Sequence, residues 1–183
     1  MKRFLFLTVL SAFCLGAFAQ QKLPAPEAVA MYEINPRVFA PKNSFRAIAA
    51  RLDSIHELGI NVVWFMPIYE TGKLKAKGSP YCVRNYEAVN PEFGTMADFK
   101  KLVALCHQKG MSVLLDWVAN HTSWDNVWMA AHKDWYTQDA KGRVISPAGT
   151  GWNDVADLNF SNRQMRLAMI RAMRFWVEKA DVD

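Results

Sequence analysis

The chain has 183 residues, 51% of them hydrophobic and 13% aromatic, a composition that excludes a disordered or fibrous protein and allows a packed core. Its net charge of +5 falls by two when Lys2 and Arg3 are set aside. So mild a surplus gives no argument for nucleic acid as a partner.

The first residues read as a secretory signal. Lys2 and Arg3 form a short positive region, Phe4 to Phe18 is apolar and uncharged, and Ala17-Phe18-Ala19 is a small-x-small cleavage site. The expectation is a signal peptide over 1–19, a mature chain beginning near Gln20, and a secreted or periplasmic protein with no stable membrane insertion after cleavage. The competing anchor is disfavoured because the apolar run falls short of the roughly 18 residues of a spanning-helix candidate. Lipid attachment at Cys14 is disfavoured by the bulky Phe13 before it. Past the leader only Cys82 and Cys106 remain, too few for a disulfide-dense scaffold. One bridge is possible and none is required; two unpaired thiols, with Cys106 on a buried helix face, are the plainer expectation.

Val29 to Ile34 is a short apolar run ending at Asn35-Pro36, which predicts a first strand closed by a turn. Phe45, Ile48, Leu52, Ile55 and Leu58 then fall at three- and four-residue spacing after Ser44, the face of a helix, with Gly59 where a helix C-terminus favours glycine. Ile60 to Ile68 is almost wholly apolar, as a strand buried on both faces of a parallel sheet must be. The cycle repeats: Thr95 caps a helix bearing Phe99, Leu102, Val103 and Cys106, Gly110 ends it, and Met111 to Trp117 gives a third buried strand. A long helix over Asn162 to Lys179 carries Met165, Met169, Met173 and Trp176 along one side, read as core packing, and Val182 begins a fourth strand.

This alternation predicts parallel pairing and an α/β chain, the N-terminal part of a (β/α)8 TIM barrel. A whole barrel takes about 250 residues. The connections Tyr69 to Gly94 and Val118 to Phe160 are both long and both follow strands, the side on which such barrels build their active face.

One segment is more specific than the pattern around it. Leu115-Asp116-Trp117-Val118-Ala119-Asn120-His121-Thr122-Ser123 sits where the third strand opens into the longest connection. It resembles the first signature region of the alpha-amylase family, glycoside hydrolase family 13, in which a strand ends in Asp, three residues, Asn, His. Tyr32-Glu33-Ile34, Leu58 through Ile68, Ser79-Pro80-Tyr81 and Asn90 through Thr95 each look like the corresponding family segment, in the family's order. Val155-Ala156-Asp157-Leu158-Asn159 resembles the short signature near the end of the subdomain that the family inserts after strand three. The resemblance implies barrel strands one to three within 20–117, inserted subdomain B over 118–160, and the third barrel helix with the start of strand four over 161–183.

By that resemblance Tyr81 matches the tyrosine that stacks on the sugar beside the scissile bond, and His121 the histidine that hydrogen-bonds the same sugar's hydroxyls. The chemistry suits them: a phenol has an apolar face and a polar tip, and a neutral imidazole both donates and accepts. Asn120 and Asp157 match positions that hold a structural calcium in many relatives, two of the roughly six to eight oxygens such an ion takes. Asp116 matches a residue that orients the strand end. Cys82 and Asn85 depart from the family's usual residues. Trp124, Trp128, Trp135 and Trp152 all fall in the long third connection, to line a glucan cleft or to support the subdomain.

The family's nucleophile and acid/base match no residue of this sequence and are expected beyond Asp183. Glu33, Asp116, Asp154, Asp157, Asp181 and Asp183 therefore carry no catalytic assignment. The resemblance implies a retaining alpha-glucosidic hydrolase acting on starch-type glucans or maltooligosaccharides. Two alternatives stand beside it: a transglycosidase or isomerising relative acting on maltose, trehalose or sucrose, and a non-catalytic glycan-binding or transporter-associated barrel.

Overall fold

The computed structural model describes residues 23–183, so the proposed leader and Cys14 lie outside the described residues. Three strands, β1 (Met31–Ile34), β2 (Val62–Phe65) and β5 (Ser112–Leu115), form a parallel sheet in the order β1-β2-β5. Val63 lies beside Tyr32 and Val113, and Phe65 beside Ile34 and Leu115. Ile34, Val63, Phe65 and Val113 are each fully buried, as parallel strands covered by helices require. The strands are shorter than the apolar runs that predict them, although single backbone bonds at Asn61 and Met66 continue the pairing one step past each end of β2.

The helices cover one face of this sheet. After α1 (Pro36–Phe39), the expected helix from Ser44 to Leu58 is two: α2 (Ser44–Ala49) and α3 (Leu52–Glu57). At the joint Arg51 turns to φ −109° and ψ 0°, yet Phe45, Ile48, Leu52 and Ile55 still share a buried face. Leu58 is 70% exposed and does not belong to that face. Helix α4 (Met96–Gln108) starts with a capping box: Thr95 Oγ1 accepts from the Asp98 N–H at 3.1 Å, and Asp98 Oδ2 accepts from the Thr95 N–H at 3.0 Å. Such a cap stabilises a helix by about 1 kcal/mol. Phe99, Leu102, Val103 and Cys106 form its buried face, and Gly110 follows in the left-handed region at φ +71°.

Helix α5 (Arg163–Ala180) is capped by Asn162, whose Oδ1 accepts from the N–H groups of Gln164 and Met165. Met165, Met169 and Trp176 are buried, but Met173 is 46% exposed, so the methionine stripe is core over only part of its length. At Val182 the chain runs beside β5: the Asp183 N–H donates to Val113 O at 3.0 Å and the Val113 N–H donates to Asp183 Oδ2 at 2.8 Å.

The two long connections carry antiparallel pairs of their own. β3 (Tyr69–Thr71) pairs with β4 (Val83–Val89), and β6 (His121–Ser123) with β7 (Val155–Asp157). At the end of β3 an added Cβ on Gly72 would stand 2.2 Å from Ser123 Cβ, so the two pairs approach as closely as a bare backbone permits. Trp135, Tyr136, Ala156 and Leu158 belong to the same buried cluster as the sheet and helices. The Trp176 indole N–H donates to Tyr86 O at 2.7 Å inside that cluster, tying α5 to β4. Among the described residues no helix is long and apolar enough to cross a membrane.

Candidate functional site

The C-terminal ends of the parallel strands fix the floor of the site. The Met66 N–H donates to Ile34 O at 2.9 Å and the Asp116 N–H to Phe65 O at 2.8 Å, extending the ladder one step past each strand. Asp116 is held from its other side by the Tyr69 hydroxyl, which donates to its carbonyl at 2.8 Å. Its carboxylate is then free to face upward, where Oδ2 accepts from the Tyr81 hydroxyl at 3.0 Å. Asp116 thus positions the phenol.

Tyr81 reaches this point from a tight turn in which its N–H donates to Ser79 Oγ at 3.2 Å and the Cys82 N–H to Ser79 O at 3.2 Å. Burial, the hydrogen bond to Asp116 and the charges of Asp116 and Glu33 push its phenol up to about 12. It stays a neutral donor at any ordinary pH.

His121 opens β6 opposite Asp157 and is buried. The Tyr86 hydroxyl, deep in the core, shares its proton between Val118 O at 2.7 Å and His121 O at 3.0 Å, which pins the backbone on both sides of Asn120. Asn120 Nδ2 lies 3.2 Å from His121 Nδ1; with the amide donating, the neutral ring carries its proton on Nε2. Burial lowers the imidazole below its usual range, against a hydrogen bond to the Tyr81 backbone and the charges of Asp154 and Asp157 that favour protonation. Desolvation wins, so the ring is neutral near pH 7.

Tyr81 and His121 meet on one wall of a cavity of about 350 Å³, completed by Ser79, Trp152, Asp154 and Val155. Cys82 is buried beneath it and donates its thiol to Asp154 O at 3.2 Å. Burial first, then the charges of Asp154 and Asp125, push that thiol up to about 11, so it remains a donor and not a nucleophile. Cys106 is likewise buried and both cysteines are free. Asn85 lies outside the cavity lining and accepts from the Glu87 N–H at 3.0 Å. The sequence did not mark Ser79 and Asp154 as members of the site. Trp152 and Asp154 stand two apart in the turn entering β7, which carries no periodicity that would mark either.

Asn120 precedes His121 and Asp157 faces it across the β6–β7 pair. Asn120 turns its side-chain Nδ2 to the imidazole and its backbone carbonyl accepts from the Leu158 N–H at 3.2 Å. Among the described residues no three His, Cys, Asp or Glu side chains converge where a metal ion would sit. Taken alone, these residues do not complete a calcium shell.

The chain is similar to known proteins over most of its length. Residues 42–183 match the alpha amylase catalytic domain. The chain belongs to the alpha-amylase family. It is 37% identical to a maltogenic alpha-amylase of Thermotoga neapolitana, with a TM-score of 0.81 over 86% of this chain and 38% of that one. It is 29% identical to an oligo-1,6-glucosidase of Parageobacillus thermoglucosidasius over 84% of this chain and 33% of the relative. It is also 29% identical to an amino acid transporter heavy chain of Homo sapiens over 81% of this chain and 27% of that protein. The chain thus spans about a third of the length of the curated relatives it matches. The solved neighbours are barrels of this family, and the three-stranded parallel sheet with its helices is part of such a barrel.

Proposed function

We propose that the whole protein hydrolyses alpha-glucosidic bonds in starch-type glucans or maltooligosaccharides, with retention of anomeric configuration. The observation that supports this most is the joint placement of Tyr81 and His121 in the lining of one cavity, with the Tyr81 hydroxyl held by Asp116 at 3.0 Å. A neutral phenol face receives a pyranose, and a neutral imidazole exchanges hydrogen bonds with its hydroxyls. Retaining hydrolysis also needs two carboxylates, one to attack the anomeric carbon and one to protonate the leaving oxygen. Those are expected after Asp183, and the residues described here bind and orient the sugar. Proton NMR of the first product tests the proposal. An initial alpha anomer is expected; an initial beta anomer, or no action on any alpha-glucan, overturns it.

The match to an amino acid transporter heavy chain favours a second reading, a non-catalytic, transporter-associated barrel of this family. Aspartate and glutamate at the family's catalytic positions after Asp183 separate the two. Secretion with cleavage after Ala19 belongs to the first reading and is supported by the apolar run before Gln20. N-terminal sequencing of the mature protein is expected to begin at Gln20. A calcium ion near Asn120 and Asp157 is part of the same reading, provided further oxygens join these two. A chelator that lowers the melting temperature of the whole protein supports it.

A further inference from the structure

Four tryptophans lie between Val118 and Phe160, and three of them are committed to packing. Trp135 is buried at 7% exposure. Trp128 packs on both Tyr86 and Trp135, with ring centroids 5.0 and 5.4 Å apart. Trp124 carries the Lys75 ammonium 3.9 Å from its ring centroid and donates its indole N–H to Asn153 O at 3.0 Å.

Trp152 differs from these. It is 49% exposed, yet its ring lines the cavity that holds Tyr81 and His121, set edge to face against the His121 imidazole at 5.5 Å and 68°. Its backbone is fixed from both sides. The Trp152 N–H donates to Thr150 Oγ1 at 3.1 Å, Trp124 holds the next carbonyl, and the Cys82 thiol holds the carbonyl of Asp154 at 3.2 Å. A large apolar ring thus stands half exposed on a fixed backbone at the edge of a largely apolar cavity.

We propose that Trp152 is a substrate-binding platform for the second sugar ring of an oligosaccharide whose first ring lies against Tyr81 and His121. The inference rests on the proposed function and names the chain length that the site recognises. A pyranose presents an apolar C–H face and a rim of hydroxyls. The indole covers the face at little entropic cost, since the ring turns about two torsions only. Asp154, two residues further along the chain, and Ser79 supply oxygens for the rim. Binding at Trp152 is therefore a selection for substrates longer than one ring, separate from the recognition of the first sugar.

The test compares maltohexaose with alpha-glucosyl fluoride, which carries one ring, in the full-length protein. Trp152→Ala is expected to raise KM for maltohexaose about tenfold, the loss of one stacking contact, while Trp152→Phe restores most of it. KM for alpha-glucosyl fluoride should stay within about twofold in both variants. An equal loss on both substrates would show that Trp152 merely props His121, and no loss on maltohexaose would show that no sugar reaches it; either overturns the proposal. Should Trp152→Ala fail to fold, the difference in tryptophan fluorescence on maltohexaose binding between wild type and Trp152→Phe decides, and an identical response in the two overturns it. Wild-type protein that neither binds nor cleaves any alpha-glucan defeats the functional reading itself, a result distinct from those.

Discussion

Tyr81 and Asp116 are 35 residues apart in sequence, and the phenol of one donates to the carboxylate of the other across 3.0 Å. The pair joins a loop to the end of β5, so the Tyr81 ring is held by the sheet as well as by its own turn.

The pair predicts an alkaline weakness. The folded phenol of Tyr81 is pushed up to about 12 from the usual 10, by burial and then by Asp116, and burial likewise raises Tyr136 to about 12. A folded value raised above the unfolded one gives stability that is whole below pH 10 and lost as pH rises through about 12. Urea titrations between pH 9 and pH 12 should show this fall, with phenolate absorbance appearing together with unfolding. Tyr81→Phe should flatten the slope.

His121 gives the opposite limb. Its folded value lies below 6.5 because burial disfavours the cation. Its contribution is therefore present above pH 6.5 and lost as pH falls through the depressed value. KM for a maltooligosaccharide is expected to rise on that acid limb. His121→Gln should raise KM about tenfold at neutral pH and remove the rise. A variant with wild-type KM would exclude contact between this ring and the substrate.

Trp176 is 2% exposed and donates to the carbonyl of Tyr86. Trp176→Ala is expected to cost about 3–5 kcal/mol through the cavity it leaves, with a further ~1 kcal/mol or more for the orphaned carbonyl. Trp176→Phe should fill most of the space and recover a large part. Chemical denaturation of the two variants measures the difference.

Residues 23–183 expressed alone are expected to show no glycosidase activity, because binding groups without paired carboxylates neither capture nor protonate the sugar. They are also expected to associate. Between the sheet and the exposed side of α5 lies an open apolar trough of about 440 Å³ lined by Trp64, Leu114, Trp117, Met173 and Val177, and such a surface recruits a neighbour. Sedimentation and a chromogenic maltooligosaccharide check both. A monomer that cleaves above a His121→Ala control would relocate the chemistry to this chain.

Much of the fold was legible because local signals agreed. Around α4, the Thr95 cap, the Phe99 to Cys106 spacing and Gly110 all point to one helix, and it forms within a residue of the expected ends. The break between α2 and α3 was not legible, since the apolar face runs unbroken from Phe45 to Ile55 while only the backbone at Arg51 departs. Tyr81 and His121 were found through motifs. The roles of the tryptophans were not, because nothing in a segment without periodicity tells which ring packs and which stays open. Ser79 and Asp154 entered the site only when the two hairpins were brought together.

The bond between Trp176 and Tyr86 also orders events in time. Its partners are 90 residues apart, so closing it must wait until α5 has left the ribosome. Until then Tyr86 O lacks that donor, and the rings of Tyr69 and Phe99, which pack on Trp176 at 5.5 and 5.7 Å, lack that cover. Contacts of such span slow a fold and lengthen the exposure of its apolar surface during synthesis. Refolding followed by tryptophan fluorescence should therefore report the arrival of α5 as a late phase.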